Sequence, residues 1–297
     1  MKEITLEELL EAGCHFGHQV TRHNPKSRDF VFEARDNIHI IDLAKTKEGL
    51  EEAAAFIKNL AANGGSLLVV GTKRQARGIV DEEIKRAQEE RTDGSQDRLF
   101  YITTRWIGGI LTNFSEVSKN FKKLNDIKDR LQKKDELSGY TKKEIGLWEK
   151  EMVKLRGLYG GISEMKKSPD ALFIIDSHLE NLAVSEATKT GVKTIGIVDT
   201  NADPDLVDYS IPANDDAVGS IKLIVSYIMD AWIEGNRELL KKNSSREKQE
   251  IVTKDVKPQE EVNKVKKSSK KAKAEKDKEI EPVEKKTAKV IKTEVGK

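Results

Sequence analysis

A short segment near the amino terminus concentrates side chains that could bind an anion. Residues 13–28 (GCHFGHQVTRHNPKSR) contain no acidic residue. Lys and Arg without nearby carboxylates are suited to phosphate. Zinc ligands usually come as separated pairs on two elements, and Cys14 with its histidines has no second pair, so an anion site is favoured over a metal site. A solvated loop remains the alternative. The candidate anion ligands are His15, His18, Arg22, His23, Lys26 and Arg28.

Two later turns carry further cations. Lys73 and Arg74 follow Gly71 and the apolar run at residues 67–70, and Arg105 and Trp106 lie in TTRWIGGILTN. A turn at the carboxyl end of a parallel strand offers amides and a helix end to phosphate. Neither turn matches a nucleotide-binding fingerprint, so nucleic-acid backbone fits as well as a cofactor does. A structural turn, and a Trp106 that only fills the core, remain the alternatives.

Acidic residues cluster in one loop after residue 198. Their oxygens could hold magnesium, but the spacing is not that of an EF-hand, and Asp or Asn beside Pro204 often serves a turn. Asp199, Asp203 and Asp205 are therefore only weak metal candidates, and no cofactor is predicted. The chain has no GxSxG or HExxH motif, and His178 near Asp176 is a weak constellation on a helix terminus. The sequence predicts that the protein is not an enzyme.

The surrounding pattern predicts an α/β fold. Apolar runs at 67–70, 98–102, 171–175, 194–198 and 209–211 alternate with amphipathic segments, which is typical of buried parallel strands connected by helices. We expect about five parallel strands with helices on both faces. The first predicted elements are a short helix after Thr5, a two-stranded hairpin at 29–42 and helices at 44–62 and 74–90. A helix capped by Ser177 and Glu180 runs to Thr190, and a final helix spans 215–235, ending at Gly235.

Residues 113–159 interrupt this repeat. Apolar residues recur there every three or four positions in two halves, each beginning with a predicted capping box, Asn113 with Glu116 and Thr141 with Glu144. Gly139 marks the reversal. The pattern predicts an antiparallel coiled-coil hairpin that protrudes from the α/β domain, and a bundle packed on the core is the alternative.

The charge distribution divides the 297 residues into two parts. Residues 241–297 carry 19 Lys and Arg, 11 Asp and Glu and no aromatic residue, a formal charge of +8, which leaves −6 on residues 1–240. We expect an ordered domain at 1–240 and a disordered, Lys-rich tail at 241–297. No uncharged apolar run approaches membrane-spanning length and the amino terminus does not resemble a signal peptide, so a cytoplasmic protein with no membrane partner is expected. A single Cys14 excludes an intrachain disulfide.

Several of these motifs, taken in order, closely resemble one protein family. The motifs are HFGHQVTRHNPKSRDFVF, ARDNIHIIDLAKT, VVGTKRQA, RWIGGILTNF, PDALFIID and IVDTNADPDLVDYSIPANDDA. They resemble the bacterial form of small-subunit ribosomal protein number two over residues 3–240. Thr103-Thr104 and Ala213 depart from the family pattern, the latter where glycine is usual.

The resemblance implies a flavodoxin-like α/β domain with a protruding coiled-coil hairpin, assembled late at the junction of head and body. It also implies a structural role on the ribosome, contacts with small-subunit rRNA and other ribosomal proteins, and help in recruiting small-subunit ribosomal protein number one, which captures mRNA. With Arg28 from the basic segment, the RNA contacts expected are His15, His18, Arg22, Asn24, Lys26, Arg28, Lys73, Arg74, Arg105 and Trp106.

Two other functions remain open on the residues. One is an enzyme acting on a phosphorylated ligand at the carboxyl ends of the strands, with Asp176, Asp199 or His178 as acid or base. The other is a free RNA-binding or scaffolding module that uses the hairpin as its partner surface.

Overall fold

The computed structural model describes residues 3–90, 98–133 and 139–255, with side chains as far as residue 242. The chain divides into two compact units, residues 1–242 and residues 243–297. Residues 256–297, most of the predicted disordered tail, lie outside the described part. In that part, no helix is both long and apolar enough to cross a membrane.

A five-stranded parallel sheet forms the centre of the first unit. Its strands are β4 (Leu67–Val70), β5 (Leu99–Ile102), β6 (Ala171–Ile174), β7 (Lys193–Val198) and β8 (Tyr209–Pro212), in the spatial order β5-β4-β6-β7-β8. The order reverses after the first strand of this sheet, as in flavodoxin-like folds. The predicted α/β class and its five strands are confirmed.

Helices cover both faces of the sheet. Successive side chains of each strand therefore pack into two different cores. Leu67 and Val69 contribute to one core, and Leu68 and Val70 contribute to the other. All four side chains are fully buried. Each strand carries apolar side chains on both of its faces because both faces of the sheet are buried.

The helices of the first core are α1 (Leu6–Glu11), α2 (Leu43–Ala62), α3 (Arg77–Glu89) and α7 (Val218–Asp255). Thr5 and Glu8 form the predicted capping box of α1. Helix α3 begins three residues later than predicted, so Lys73 and Arg74 lie in a turn before it rather than in its first turn.

Helices α4 (Phe114–Gln132), α5 (Lys142–Tyr159) and α6 (Asn181–Thr190) lie on the other face. The prediction that Ser177 and Glu180 cap α6 is wrong: Glu180 precedes the helix without a capping bond, and its carboxylate accepts a hydrogen bond from the Thr72 hydroxyl instead. Burial holds the pKa of Glu180 above its usual value.

Helices α4 and α5 correspond to the predicted insertion. Thr141 and Glu144 form the expected capping box, whereas Asn113 makes no capping hydrogen bond because its backbone (φ −139°, ψ 48°) does not have the extended geometry of a cap. Phe121 and Tyr159 pack edge to face and join the core on the sheet. The amino-terminal part of α4 is thus part of the domain, and a protruding coiled coil stays a prediction.

The prediction that the last helix ends at Gly235 is wrong. Helix α7 continues to Asp255, past the predicted start of the tail. A Cβ at position 235 would overlap the Lys58 carbonyl oxygen and lie 2.7 Å from the Ala61 Cβ atom. Position 235 needs a glycine because α7 passes close to α2 there, not because the helix ends there.

A second, antiparallel sheet contains β1 (Phe16–Gln19), β2 (Val31–Arg35) and β3 (Ile38–Ile41), in the order β1-β3-β2. The predicted hairpin is present, and its turn residues Asp36 and Asn37 have positive φ angles of 49° and 62°. Strand β1 was not predicted, because residues 13–28 lack the alternation typical of a strand.

Candidate nucleic-acid interface

Thr200, at the carboxyl end of β7, holds several parts of the basic amino-terminal segment. Thr200 accepts three hydrogen bonds: from the His18 amide to its Oγ1 (2.9 Å), and to its carbonyl oxygen from the Asn24 amide (2.7 Å) and the Ser27 hydroxyl (2.8 Å). Thr200 is fully buried. The segment is therefore held at the same edge of the sheet as the turns that follow β4 and β5.

Individual side chains of this segment differ in exposure. Arg22 and Arg28 are exposed, whereas His15 is half-buried and its ring lies 3.9 Å from that of Phe16. Burial lowers the pKa of His15, so this imidazole is less readily charged than a free one. The Asn24 side chain accepts a hydrogen bond from the Lys26 amide at 3.0 Å and stabilises the turn at 25–30.

Lys26 is exposed but has carboxylate partners. Its Nζ lies 2.9 Å from Asp203 Oδ2 and 3.0 Å from Asp205 Oδ2, and these hydrogen bonds raise the pKa of Lys26. Two of the three weak metal candidates therefore pair with a cation. Asp203 also accepts a hydrogen bond from the Asp205 amide as the cap of the turn at 204–206.

Lys73 lies in a group of largely acidic side chains at the carboxyl ends of the strands. Its Nζ is 2.7 Å from Asp215 Oδ1, 2.7 Å from Asp216 Oδ1 and 3.1 Å from Asp176 Oδ2. Burial opposes the charge on Lys73, but the nearby carboxylates, Asp215 foremost, outweigh it and raise the pKa of Lys73. We call this group the acidic cluster. It comprises His18, Lys73, Asp176, Asp199, Asp215 and Asp216.

The cluster also contains His18, the histidine of strand β1. His18 Nδ1 is 3.1 Å from Asp199 Oδ2, a contact that raises the pKa of His18, and His18 Nε2 is 3.5 Å from Asp216 Oδ2. Burial, with the charges of Asp176 and Asp199, raises the pKa of Asp215 to about 7 despite Lys73. His18 and Lys73, two of the predicted RNA ligands, thus face protein carboxylates.

The remaining cations of the two turns are available at the surface. Arg74 and Arg105 are exposed. Arg77 joins the two turns, since its Nε donates to the Thr72 carbonyl oxygen at 2.9 Å and its Nη2 to the Thr104 carbonyl oxygen at 3.3 Å. Among the residues described, no carboxylate forms an ion pair with any of four arginines at this edge: Arg22, Arg28, Arg74 and Arg105.

Trp106 is a core residue rather than a surface aromatic. It is 7% exposed, and its Nε1 donates to Glu186 Oε1 at 3.3 Å. Glu186 also accepts hydrogen bonds from the amides of Gly109 (2.8 Å), Leu111 (3.2 Å) and Thr112 (3.3 Å). Sequence inspection missed Glu186, because a lone glutamate on an amphipathic helix has no distinguishing signal.

The arrangement does not favour an enzyme. Asp176 pairs with Lys73 and accepts a hydrogen bond from the Leu179 amide at 2.8 Å, and His178 is exposed. A cavity lined by Ser66 and Arg98 lies at the amino ends of β4 and β5, away from the predicted catalytic groups.

Comparison with known proteins agrees with the resemblance seen in the motifs. Residues 9–235 match the family model described as ribosomal protein S2. The chain is 48% identical over 232 residues to small ribosomal subunit protein uS2 of Roseiflexus sp., covering 78% of this chain and 84% of that one. It is 42% identical over 258 residues to the uS2 protein of Bdellovibrio bacteriovorus, covering 86% and 79%. The chain belongs to the ribosomal protein S2 family, a family of structural, non-enzymatic proteins of the small ribosomal subunit.

Proposed function

We propose that this protein binds small-subunit rRNA through one edge of its parallel sheet, on the ribosome in the cytoplasm. The observation that supports this most directly is the set of four exposed arginines, Arg22, Arg28, Arg74 and Arg105, that have no carboxylate partner in the described residues. Arginine binds phosphate through two parallel N–H donors, and phosphate contacts contribute much of the affinity for nucleic acid.

The other predicted RNA ligands have supporting roles in this proposal. Asn24 and His18 hold the basic segment on the sheet, Trp106 anchors the loop after Arg105, and Lys73 neutralises nearby carboxylates that would repel phosphate. His15 and Lys26 lie beside the arginines, and Lys26 contributes where RNA phosphate competes with Asp203 and Asp205.

The net charge of −6 on residues 1–240 fits this arrangement if a single edge contacts RNA. The acidic remainder then faces solvent or neighbouring ribosomal proteins, with which the small-subunit protein assembles. Long-range attraction comes from the +8 tail, whose charge raises the local concentration of RNA.

We also propose that the protein helps to recruit small-subunit ribosomal protein number one, as the family resemblance implies. Exposed apolar residues on all three strands of the antiparallel sheet support a protein partner there: Phe16 is 48% exposed, Phe32 71% and Ile38 37%.

Charge reversal tests the RNA contacts. Arg22→Glu and Arg105→Glu should each weaken binding to small-subunit rRNA and reduce the slope of log affinity against log salt by about 1. Lys222→Glu is the matched control, because Lys222 is an exposed cation on α7, outside the basic segment and the two turns. Equal losses in all three variants would contradict a localised interface.

The recruitment proposal needs a separate measurement. Small subunits carrying the Phe32→Ser variant should retain this protein but hold less ribosomal protein number one after sucrose-gradient sedimentation. Unchanged occupancy by protein number one would count against the three-stranded sheet as its docking surface.

A further inference from the structure

A cavity of about 980 Å³ lies at the amino ends of β4 and β5, on the face of the sheet that carries α4. Ligand pockets in proteins usually measure about 300–1,000 Å³ and have mainly apolar walls. Ser66 and Arg98, which directly precede the two strands, line this cavity. The acidic cluster and the two cationic turns lie at the opposite, carboxyl edge of the sheet. The cavity is therefore separate from the proposed RNA contacts.

The floor of the cavity is apolar and already packed. Phe114 and Phe121 of α4 form an edge-to-face pair with ring centroids 6.0 Å apart, and Phe100 and Met165 complete the apolar lining. Phe100, Phe121 and Met165 belong to the core on this face and are between 3% and 6% exposed. Side chains that are held in a close-packed core have little room to collapse into the space. The cavity thus offers a preformed surface to an apolar group.

The charged side chains that line the cavity are mostly cations. Glu164 is the one carboxylate among the lining residues, and it stands against Arg98, Lys122, Lys166 and Lys167. Lys167 pairs with a carboxylate, since its Nζ lies 3.1 Å from Oδ1 of the aspartate at position 170. Within the described ranges, neither Lys122 nor Lys166 forms an ion pair. Residues 1–240 carry a formal charge of −6, so this local excess of positive charge runs against the overall composition.

Three elements place these cations around the apolar floor. On α4, Ser118 and Lys122 are four residues apart and therefore lie on one side of the helix. In the segment at 163–167, Met165 is buried whereas Lys166 is exposed. At the start of β5, Arg98 Nη2 donates to the Oδ1 atom of the asparagine at position 236 at 2.7 Å, which orients the guanidinium. The arrangement combines a buried apolar floor with lysines at the surface.

We infer that this cavity binds a small amphipathic anion, a ligand with an apolar chain or ring system and one carboxylate, sulfonate or phosphate group. The apolar body leaves water by packing against the Phe and Met side chains. The anionic group accepts charge-assisted hydrogen bonds from Arg98, Lys122 and Lys166. A nucleobase is a poorer fit, because its polar edges find no hydrogen-bond partners among Phe and Met side chains.

The test uses the full chain and two probes, anilinonaphthalene sulfonate and dodecanoate, the latter below its micelle concentration. Fluorescence titration should show one sulfonate probe bound per chain, and dodecanoate should displace it because both combine an apolar body with one negative charge. Dodecyltrimethylammonium has the same chain length and the opposite charge, and it should not displace the probe. A probe that does not bind, or that is displaced by the ammonium compound or by a fragment of small-subunit rRNA, would overturn the inference.

Charge variants locate the anionic group. Lys122→Glu and Lys166→Glu should each weaken probe binding by about 3- to 10-fold, because each replaces an attraction by a repulsion at the surface. Lys128→Glu is the matched control, since Lys128 is an exposed lysine of the same helix that does not line the cavity. Probe affinity that falls equally in all three variants would show general attraction to positive charge and refute the site.

A blocking variant locates the apolar body. Ser118 lines the cavity, so Ser118→Trp should fill part of the space with an indole and abolish probe binding. Circular dichroism checks that the variant folds. Arg22→Glu should leave probe binding unchanged, which separates this site from the proposed RNA interface. Probe binding that survives Ser118→Trp in a folded chain would place the probe elsewhere, for example on the charged tail, and contradict the inference.

Discussion

The indole Nε1 of Trp106 donates to the carboxylate of Glu186 at 3.3 Å, and both residues are buried. The same carboxylate accepts backbone amides from Gly109, Leu111 and Thr112, so one side chain holds the loop that follows Arg105. A buried carboxylate with several donors can organise a loop whose own backbone has no regular partners.

Replacing Glu186 should therefore disorder this loop. Glu186→Gln leaves one acceptor oxygen in place of two and sets an amide group against backbone donors, which should cost about 1–3 kcal/mol of unfolding free energy. Urea unfolding would measure this. Glu149→Gln, at an exposed helical position of α5, should change stability little, and an equal effect of both variants would contradict the role of Glu186.

The contribution of Glu186 should depend on pH. Burial raises its pKa, but the hydrogen bonds from Gly109, Trp106, Thr112 and Leu111 outweigh burial, so the pKa lies below its usual value of 4.5. A lowered folded-state pKa stabilises the protein above about pH 4.5, and that stability is lost as pH falls through the folded-state pKa. The difference in unfolding free energy between wild type and Glu186→Gln should thus shrink in acid. A difference that stays constant down to acid unfolding would be inconsistent with this.

Two glycine substitutions should act in opposite directions. Gly235→Ala should destabilise the protein by about 1–3 kcal/mol through overpacking, because a Cβ there meets the Lys58 carbonyl oxygen and Ala61 of α2. Gly146→Ala, where a Cβ on α5 meets nothing within 4 Å, should stabilise it by about 0.5–1 kcal/mol. Thermal unfolding of both variants checks the signs. A stabilising Gly235→Ala would mean that α7 and α2 lie further apart.

Cys14 should be unreactive in the folded protein. The thiol is fully buried, and burial raises its pKa above 9.0, which leaves little thiolate to react. Labelling with a thiol reagent should proceed only as fast as the chain unfolds, and should become rapid in urea. Rapid labelling in native conditions would show that the packing around Cys14 opens often.

The charged tail should determine how RNA binding responds to salt. We expect the full chain to bind rRNA more tightly than residues 1–242 at low salt, and the two affinities to converge as salt rises. Each phosphate contacted by the tail should add about 0.9 to the slope of log affinity against log salt. Equal affinities across a salt titration would refute this role for the tail.

The sequence predicted the sheet well because buried parallel strands are continuous apolar runs, as in Leu67–Val70. It predicted Lys73 as a phosphate ligand because the lysine follows a strand, but its three carboxylate partners are 103 to 143 residues away in sequence. Such pairing depends on tertiary structure, which local spacing does not encode. Gly235 was misinterpreted for the same reason, since a glycine at a helix crossing and one at a helix terminus look alike.

The docking of the basic segment on Thr200 has a consequence for synthesis. His18 and its hydrogen-bond partner Thr200 are 182 residues apart, so the segment leaves the ribosome long before its docking site exists. At about 5–20 residues per second, this delay is roughly 9–36 seconds. Arg22 and Arg28 therefore emerge early but are set in their final place only when β7 is complete. The edge that we propose to bind RNA is among the last parts of the newly made chain to take shape.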